Sequence, residues 1–429
     1  MIARLHSLWY ALRASYWFYP ALFALGAFAL GLMTLHLDRS GATQWLAQSD
    51  WLEPLHANGA ESLLGVATGS MIGVAATVFS ITIAAVAYAS GNYGPRLLGN
   101  FMEDKGNQLS LATFVGTFVY GLTVLRAVRA SAPGTPAFVP QLSLLMAFAL
   151  LVVTTGVLVY FLHHIPASIR IDTVLEAIGQ RLLRQIAARY PHAGERDPAH
   201  RALPSGGATV RAHDTGYVRV IELGTLCKVA SAHGLLINLA VRTGDFVYPG
   251  CIVAHTDAPR GDPDIDAQIH QCLALGASRT AEQDIEFSID ELVEIALRAL
   301  SPAINDPFTA IAVVHWMGAA TAAFGRSDLA REDWQEGDAA CPVARLHADF
   351  AHYLERGFVA MRSALATSRL AAIVALDTLD SAARNVRGEY RAALVRKEMR
   401  ALVLQAREHL VGPDLAMVEE RLRVLEHRA

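Results

Sequence analysis

Four stretches in the first 170 residues contain no Asp, Glu, Lys or Arg: residues 17–37, 62–93, 108–125 and 130–169. A bilayer core of about 30 Å takes roughly 20 apolar helical residues to cross. Inside it every backbone polar group must be paired within the segment, which excludes loops and selects helices. Cysteine is scarce: Cys227, Cys251, Cys272 and Cys341 are the only four, none in C-x-x-C spacing and none with His at ligand spacing. That excludes a sequence-evident zinc site and leaves four reduced thiols as the expectation. Basic excess is absent too. The net charge of −4 gives no electrostatic footing for nucleic acid. No charge falls mid-span, where proton pumps and ion-coupled transporters usually carry one. There is no H-E-x-x-H, no phosphate loop and no nucleophile beside a base, so no catalytic residue, no cofactor and no enzyme is expected.

The chain is 53% hydrophobic with a mean hydropathy of +0.31, and the apolar excess lies in the first 170 residues. The N-terminus lacks a cleavage site for a signal peptide. Trp9, Tyr10, Tyr16, Trp17, Phe18 and Tyr19 cluster where the first span begins, as interfacial anchors do. Residues 1–16 are therefore read as a cytoplasmic or interfacial N-terminus. The transmembrane domain is read over 17–169, with spans at about 17–37, 63–89, 108–128 and 140–162. Basic residues favour cytoplasmic loops. Arg4, Arg13, Arg96, Lys105, Arg170, Arg181, Arg184 and Arg189 stand against Arg39, Arg126 and Arg129. Both termini are thereby predicted in the cytoplasm, with the acidic loop of Asp38, Asp50, Glu53 and Glu61 outside. The shortest span, the third, is the one that a packed amphipathic helix would replace.

The second span is unlike the others. Gly65, Gly69 and Gly73 recur every four residues, a spacing that lets helix backbones approach. Ser70, Gly73, Thr77 and Ser80 make a narrow stripe of small or hydroxylated positions. They read either as a helix-packing seam or as the wall of a hydrated path. Hydroxyls bond back to the preceding turn at little cost, so they do not decide between the two. At 27 residues this span is about 40 Å long and overshoots the hydrocarbon. Gly91, Gly94 and Pro95 end it. Span three repeats the theme with Thr113, Gly116, Thr117 and Tyr120 on one face, and Gly116 joins Gly65 and Gly69 as a packing candidate. His163 and His164 close span four before Pro166, as a polar helix end or a metal- or pH-sensing pair.

Residues 170–208 read as a helix over 173–190 and a Pro- and Gly-rich linker over 191–207. Residues 209–256 hold short apolar runs between turn signals at Asp214-Thr215-Gly216, Arg242-Thr243-Gly244-Asp245 and Tyr248-Pro249-Gly250. They predict a small all-β module. The run from Val241 to Gly250 resembles the turn–strand–turn of biotinyl/lipoyl-type barrel-sandwich modules but has no modifiable Lys. Such a module would be structural or bind a partner. After a linker over 256–264, residues 265–429 read as helical. Thr280 and Gln283 predict a capping box and a helix over 281–300, burying Ile285, Ile289, Leu292, Val293 and Ala296. Glu282, Glu286, Asp290 and Glu294 lie four apart on it. The last pairs with Arg298, and Glu282 and Glu286 border the apolar face, solvated or meeting a cation or an Arg from another element. Asp306 caps a new helix with Pro307 at its first position. Glu282, Asp284, Glu286, Asn305 and Asp306 form a candidate acidic site, the best divalent-metal set if the chain were an enzyme. Residues 326–342 are a polar excursion, and amphipathic helices follow over 350–428.

Several segments together resemble a family of predicted bacterial membrane proteins, the domain-of-unknown-function 2254 family. They are Gly69-Ser-Met-Ile72, Val78-Phe-Ser-Ile-Thr82, Gly94-Pro-Arg-Leu-Leu98, Gly106-Asn-Gln108, Gly116-Thr-Phe118, Tyr160-Phe-Leu-His-His164, Arg279-Thr-Ala-Glu-Gln-Asp284 and Ala299-Leu-Ser-Pro-Ala-Ile-Asn-Asp-Pro-Phe308. The resemblance implies a bacterial inner-membrane protein and carries no activity with it. The expected fold is a polytopic α-helical membrane protein with four transmembrane helices and a cytoplasmic α+β part, a barrel-like β module followed by a helical domain. The expected function is an oligomeric ion channel or channel-like pore. The expected partners are the lipid bilayer and further copies of the chain, with no nucleic acid. The alternative is a non-conducting sensor or scaffold whose cytoplasmic part binds a ligand or partner.

Overall fold

A computed structural model of the chain describes residues 15–41, 56–94, 96, 101, 104–130, 137–190, 207–329, 335–336, 339–346 and 348–428. Arg4, Trp9, Tyr10, Arg13, Asp50, Glu53, Pro95 and nearly all of the 191–207 linker lie outside these. The chain divides after Arg170 into two compact units.

The first unit holds helices α1 (Phe18–Arg39), α2 (Ala57–Tyr93), α3 (Lys105–Leu125) and α4 (Gln141–Ser168). The shortest, α3, is the hub, with α1, α2 and α4 all packed on it. Its sequence explains this. Gly116 lets Phe23 of α1 close in, and Gly121 does the same for Thr68 of α2. Its buried Tyr120 hydroxyl meets Thr34 at 3.0 Å and the Ser143 carbonyl at 3.1 Å, and Thr117 meets Thr154 at 2.8 Å. Buried polar groups thus pair across helices, as a low-dielectric interior demands. Asp38 at the end of α1 accepts from the Leu142 and Ser143 amides and the Ser143 hydroxyl. It caps α4 from another helix, a carboxylate at the positive helix end. The outward faces of α1 and α4 carry Leu25, Phe28, Leu32, Phe148, Val152, Val153 and Leu162, all exposed. So wide an apolar surface requires lipid.

Two expectations change here. Helix α2 has 37 residues rather than 27, roughly 55 Å at 1.5 Å per residue. It ends as expected, at Gly94 with φ 124°. Helix α4 runs through Pro166 instead of stopping there. Pro166 removes one i→i−4 hydrogen bond and crowds the Leu162 carbonyl, a cost confined to the last turn of the helix.

In the second unit, α5 (Ile171–Arg189) precedes a region that is mixed rather than all-β. Strands β1 (Thr209–Arg211), β2 (Gly216–Ile221), β3 (Ile237–Leu239), β4 (Phe246–Val247), β5 (Ile252–Thr256) and β6 (Leu273–Gly276) alternate with α6 (Leu223–His233) and α7 (Pro263–Gln271). The helix α6 and the partner strand β6 correct the all-β reading of 209–256. Cys227 and Val229 on α6 have the apolar look of strand residues, and only the fold places them on a helix. Helix α8 (Ile285–Ala299) and α9 (Pro307–Arg326) follow. Two-residue strands β7 (Gln335–Glu336) and β8 (Ala339–Ala340) pair with each other, and β9 (Val343–Ala344) comes next. One sheet runs β1-β5-β3-β9, antiparallel except for the parallel β3–β9 pair, and the other β4-β2-β6, antiparallel throughout. Val210, Val218, Leu226, Ile237, Val253, Ile269 and Val343 fill the core between them.

Cys227 and Cys341 form a disulfide with Cα atoms 5.4 Å apart, while Cys251 and Cys272 are free. This corrects the expectation of four thiols. The partners are 114 residues apart, and pairing of β9 with β3 is what brings them together.

Helix α8 starts at Ile285, not 281. Asp284 is its cap, and Gln283 instead accepts from the Ile221 amide. The residues predicted for its inner face are all buried. Helix α9 lies against α5, α8 and α12 (Arg369–Asn385). By length and composition α9 is a fifth candidate span beside α1–α4, and 56% of its apolar window is buried inside the protein. A Cβ on Gly179 of α5 would overlap Trp316, and one on Gly318 would overlap Thr378. The unit closes with α10 (Phe350–Leu354), a π-turn (Glu355–Val359), α11 (Ala360–Leu365), α12, α13 (Glu389–His409) and α14 (Gly412–Glu426).

Candidate functional site

The long helix α2 has two faces of different chemistry. Leu64, Thr68, Ala75, Val78, Thr82, Val86 and Ala89 are buried. The opposite face is exposed and carries Gly69, Ser70, Gly73, Ala76, Thr77, Ser80 and Ala84. All four pore-lining candidates (Ser70, Gly73, Thr77, Ser80) are therefore on one open surface. Their hydroxyls bond back within the helix, Ser70 to Ala67, Thr77 to Gly73 and Ser80 to Ala76, at 2.8–3.0 Å. The packing glycines separate. Gly116 touches Phe23, whereas Gly65, Gly69 and Gly73 meet nothing within 4 Å among the described residues.

A polar cluster joins the start of α3 to the end of α4. Asp104 caps α3 through the Asn107 amide and accepts from Nε2 of His164 at 3.0 Å. The Tyr160 hydroxyl lies 3.2 Å from Nδ1 of the same ring. Both ring nitrogens of His164 are therefore paired, one with Asp104 and one with Tyr160. Gly106 is required here: a Cβ would sit 2.6 Å from His164 Nε2. His163 is exposed, so the two histidines are not brought together as a pair.

The acidic ridge of α8 meets arginines from other elements. Glu286 pairs with Arg356 of the π-turn at 2.6 Å, Arg242 at 3.3 Å and His352 at 2.9 Å. Arg356 also holds Asp290, and Arg279 bridges Asp290 and Asp284. Behind them Arg181 pairs with the buried Glu291 and donates to Ser288. Burial pushes the Glu286 carboxyl up, but His352, Arg356 and Arg242 outweigh it and bring it down to about 2. For Asp284 burial wins over Arg279 and the Phe287 amide, and it rises to about 6. Gly244 is confined by this network: its φ is +98°, and a Cβ would overlap the Asp284 carboxylate.

The five acidic-site candidates do not act together. Asp284 and Glu286 belong to the arginine network and Glu282 is exposed just before it. Asn305 supplies a left-handed turn with φ 50°. Asp306 caps α9, accepting from the amides of Phe308 and Thr309 and from the Thr309 hydroxyl. Among the described residues no group of three His, Cys, Asp or Glu is placed to hold a metal ion. The arrangement is an ion-pair latch joining α8, the β3–β4 turn and the π-turn. Glu294 meets Arg298 at 3.5 Å as its spacing predicts. The arginines were missed because Arg242, Arg279 and Arg356 lie in no common sequence pattern.

Apolar outward faces around a polar-stitched hub define an integral membrane protein with several candidate spans and a mixed α/β unit. The chain belongs to the family described as Predicted membrane protein (DUF2254), whose model matches residues 13–381. The resemblance in the sequence segments is thereby borne out. An uncharacterised protein of Mycobacterium bovis is 32% identical over 374 residues, covering 84% of this chain and 70% of its own. An uncharacterised protein of Mycobacterium tuberculosis H37Rv is similar to the same extent. No solved structure matches the chain.

Proposed function

We propose that the protein is a homo-oligomeric channel of the bacterial inner membrane, with α1–α4 as its four spans and α2 of each copy facing the axis. One observation carries this reading. The exposed faces of α1 and α4 are bulky, as lipid contact allows, whereas that of α2 carries a stripe of Gly69, Ser70, Gly73, Ala76, Thr77, Ser80 and Ala84, flanked by exposed Ile72, Phe79, Ile81 and Ile83. A stripe of small residues admits close helix–helix approach, and among the described residues nothing lies within 4 Å of a Cβ built on Gly65, Gly69 or Gly73. Four spans do not enclose a path, so conduction requires several copies. Helix α9 belongs to the polar unit in this reading, because its Trp316 and Gly318 are locked against α5 and α12. The basic-residue count supports putting both termini and that unit in the cytoplasm, as a vestibule or gate with no catalytic role.

The second reading is a non-conducting sensor or scaffold. It is favoured by the satisfied hydroxyls of Ser70, Thr77 and Ser80, which need no water. Both readings require α2 to meet its copies. In membranes, Ser70→Cys and Gly73→Cys are expected to cross-link between chains under mild oxidation, while Val153→Cys on α4 is not. Equal cross-linking at all three sites contradicts an α2 interface.

A further inference from the structure

The second unit contains a half-open cleft of about 1100 Å³, with His213 and Asp214 at its exposed mouth, whose chemistry the membrane reading leaves unused. It is bounded by the turn between β1 and β2, by α7 and by β6. Val247, Val253 and Leu273 give it apolar walls, and Asp214, Asp266, His213 and His270 give it polar ones. The volume comes from small residues, since Ala267, Ala274, Gly276 and Ala277 line it where larger side chains would fill it.

The polar groups are arranged as acceptors. The two imidazole rings lie 4.3 Å apart. Nε2 of His270 is buried without a hydrogen-bond partner, so the backbone carbonyl of Arg211 faces the other ring nitrogen. That carbonyl keeps the proton on Nδ1 and leaves Nε2 as a lone-pair acceptor. A buried acceptor with no donor is costly, so it is a place where a donor from outside is favoured. Burial and then the neighbouring His213 hold His270 below the usual imidazole value, against the pull of Asp266 and Asp214. The ring is thus neutral near pH 7. Among the described residues no Lys or Arg lines it. Its helix end is also closed to anions: Asp262 caps α7, and Asp264 and Asp266 occupy the first turn. Two carboxylates, the neutral His270 imidazole and apolar walls favour a positive group with N–H donors on an apolar body.

We propose that this cavity is a binding site for a small amphipathic amine, its ammonium group held between Asp214 and Asp266 beside His270. The site stands whether or not the membrane unit conducts. The test is calorimetric titration of the full-length protein in detergent, near neutral pH, with phenethylamine, 2-phenylethanol and 3-phenylpropionate. Phenethylamine is expected to bind at least about tenfold more tightly than the neutral and anionic probes. The double variant Asp214→Asn/Asp266→Asn is expected to lose about tenfold or more, and Ala267→Trp to abolish the signal by filling the cavity, both with an unchanged thermal midpoint. The proposal is overturned by equal binding of the three probes, by amine binding that survives Ala267→Trp, or by no heat from the folded wild type. A variant with a lowered midpoint is replaced by His270→Phe, for which the same loss is expected and unchanged binding contradicts the site.

Discussion

Asp284 and Glu286 stand two residues apart in one network and are driven in opposite directions. The Asp284 carboxyl, raised from 3.8 to about 6, carries a burial cost above that value that is relieved as pH falls through it. The Glu286 carboxyl, lowered from 4.5 to about 2, contributes stability that is present above 4.5 and lost as pH falls towards 2. The second effect amounts to about 3 kcal/mol by linkage. Thermal unfolding of the polar unit should therefore weaken between those two values in the wild type and much less in Glu286→Gln. Equal acid sensitivity in both would remove Glu286 from the latch. Arg279→Ala leaves the nearly buried Asp284 without its cation and should cost about 3–5 kcal/mol in denaturant unfolding. At this scale the sequence revealed caps and i,i+4 pairs, such as Asp306 and Glu294–Arg298. It hid Arg242, Arg356 and His352, because no local rule links them to α8. The Asp38 cap on α4 was hidden for the same reason.

At the scale of elements, what was legible had a period or a punctuation mark. Helix α8 was readable from its apolar face and α2 from its missing charges and terminal glycine. Helix α6 was not, since its apolar residues fall into a stretch whose flanks alternate like strands. The two-residue β9 carried no signal, yet it brings Cys341 to Cys227. Cys227→Ser should lower stability by about 2–4 kcal/mol in oxidised protein and hardly at all in reduced protein. Alkylation of the denatured protein without reductant should tag Cys251 and Cys272 alone; four tagged thiols would show the bond open. The close approach of α5 to α9 makes a second prediction. Gly179→Ala forces a methyl into Trp316 and should cost about 1–3 kcal/mol, read as a lower thermal midpoint.

For the whole molecule, membrane residence follows from the charge-free stretches and the exposed apolar faces of α1 and α4. The choice of α3 as hub did not follow from hydropathy, in which it is the weakest of the four. Its Gly116, Gly121, Thr117 and Tyr120 make it the hub by shape and hydrogen bonding rather than by hydrophobicity. The small face of α2 was visible in the sequence as a stripe, and the fold adds that the stripe is left open. Its meaning depends on whether copies meet there around a wet or a dry axis. The decisive measurement is ion flux through the purified protein in liposomes, with the oligomeric mass determined on the same sample. Flux from an oligomer, abolished by Thr77→Trp with the mass unchanged, is the result predicted here. A folded oligomer that passes no ion across a range of pH, voltage and salt, or flux that Thr77→Trp leaves intact, contradicts a conducting path along α2.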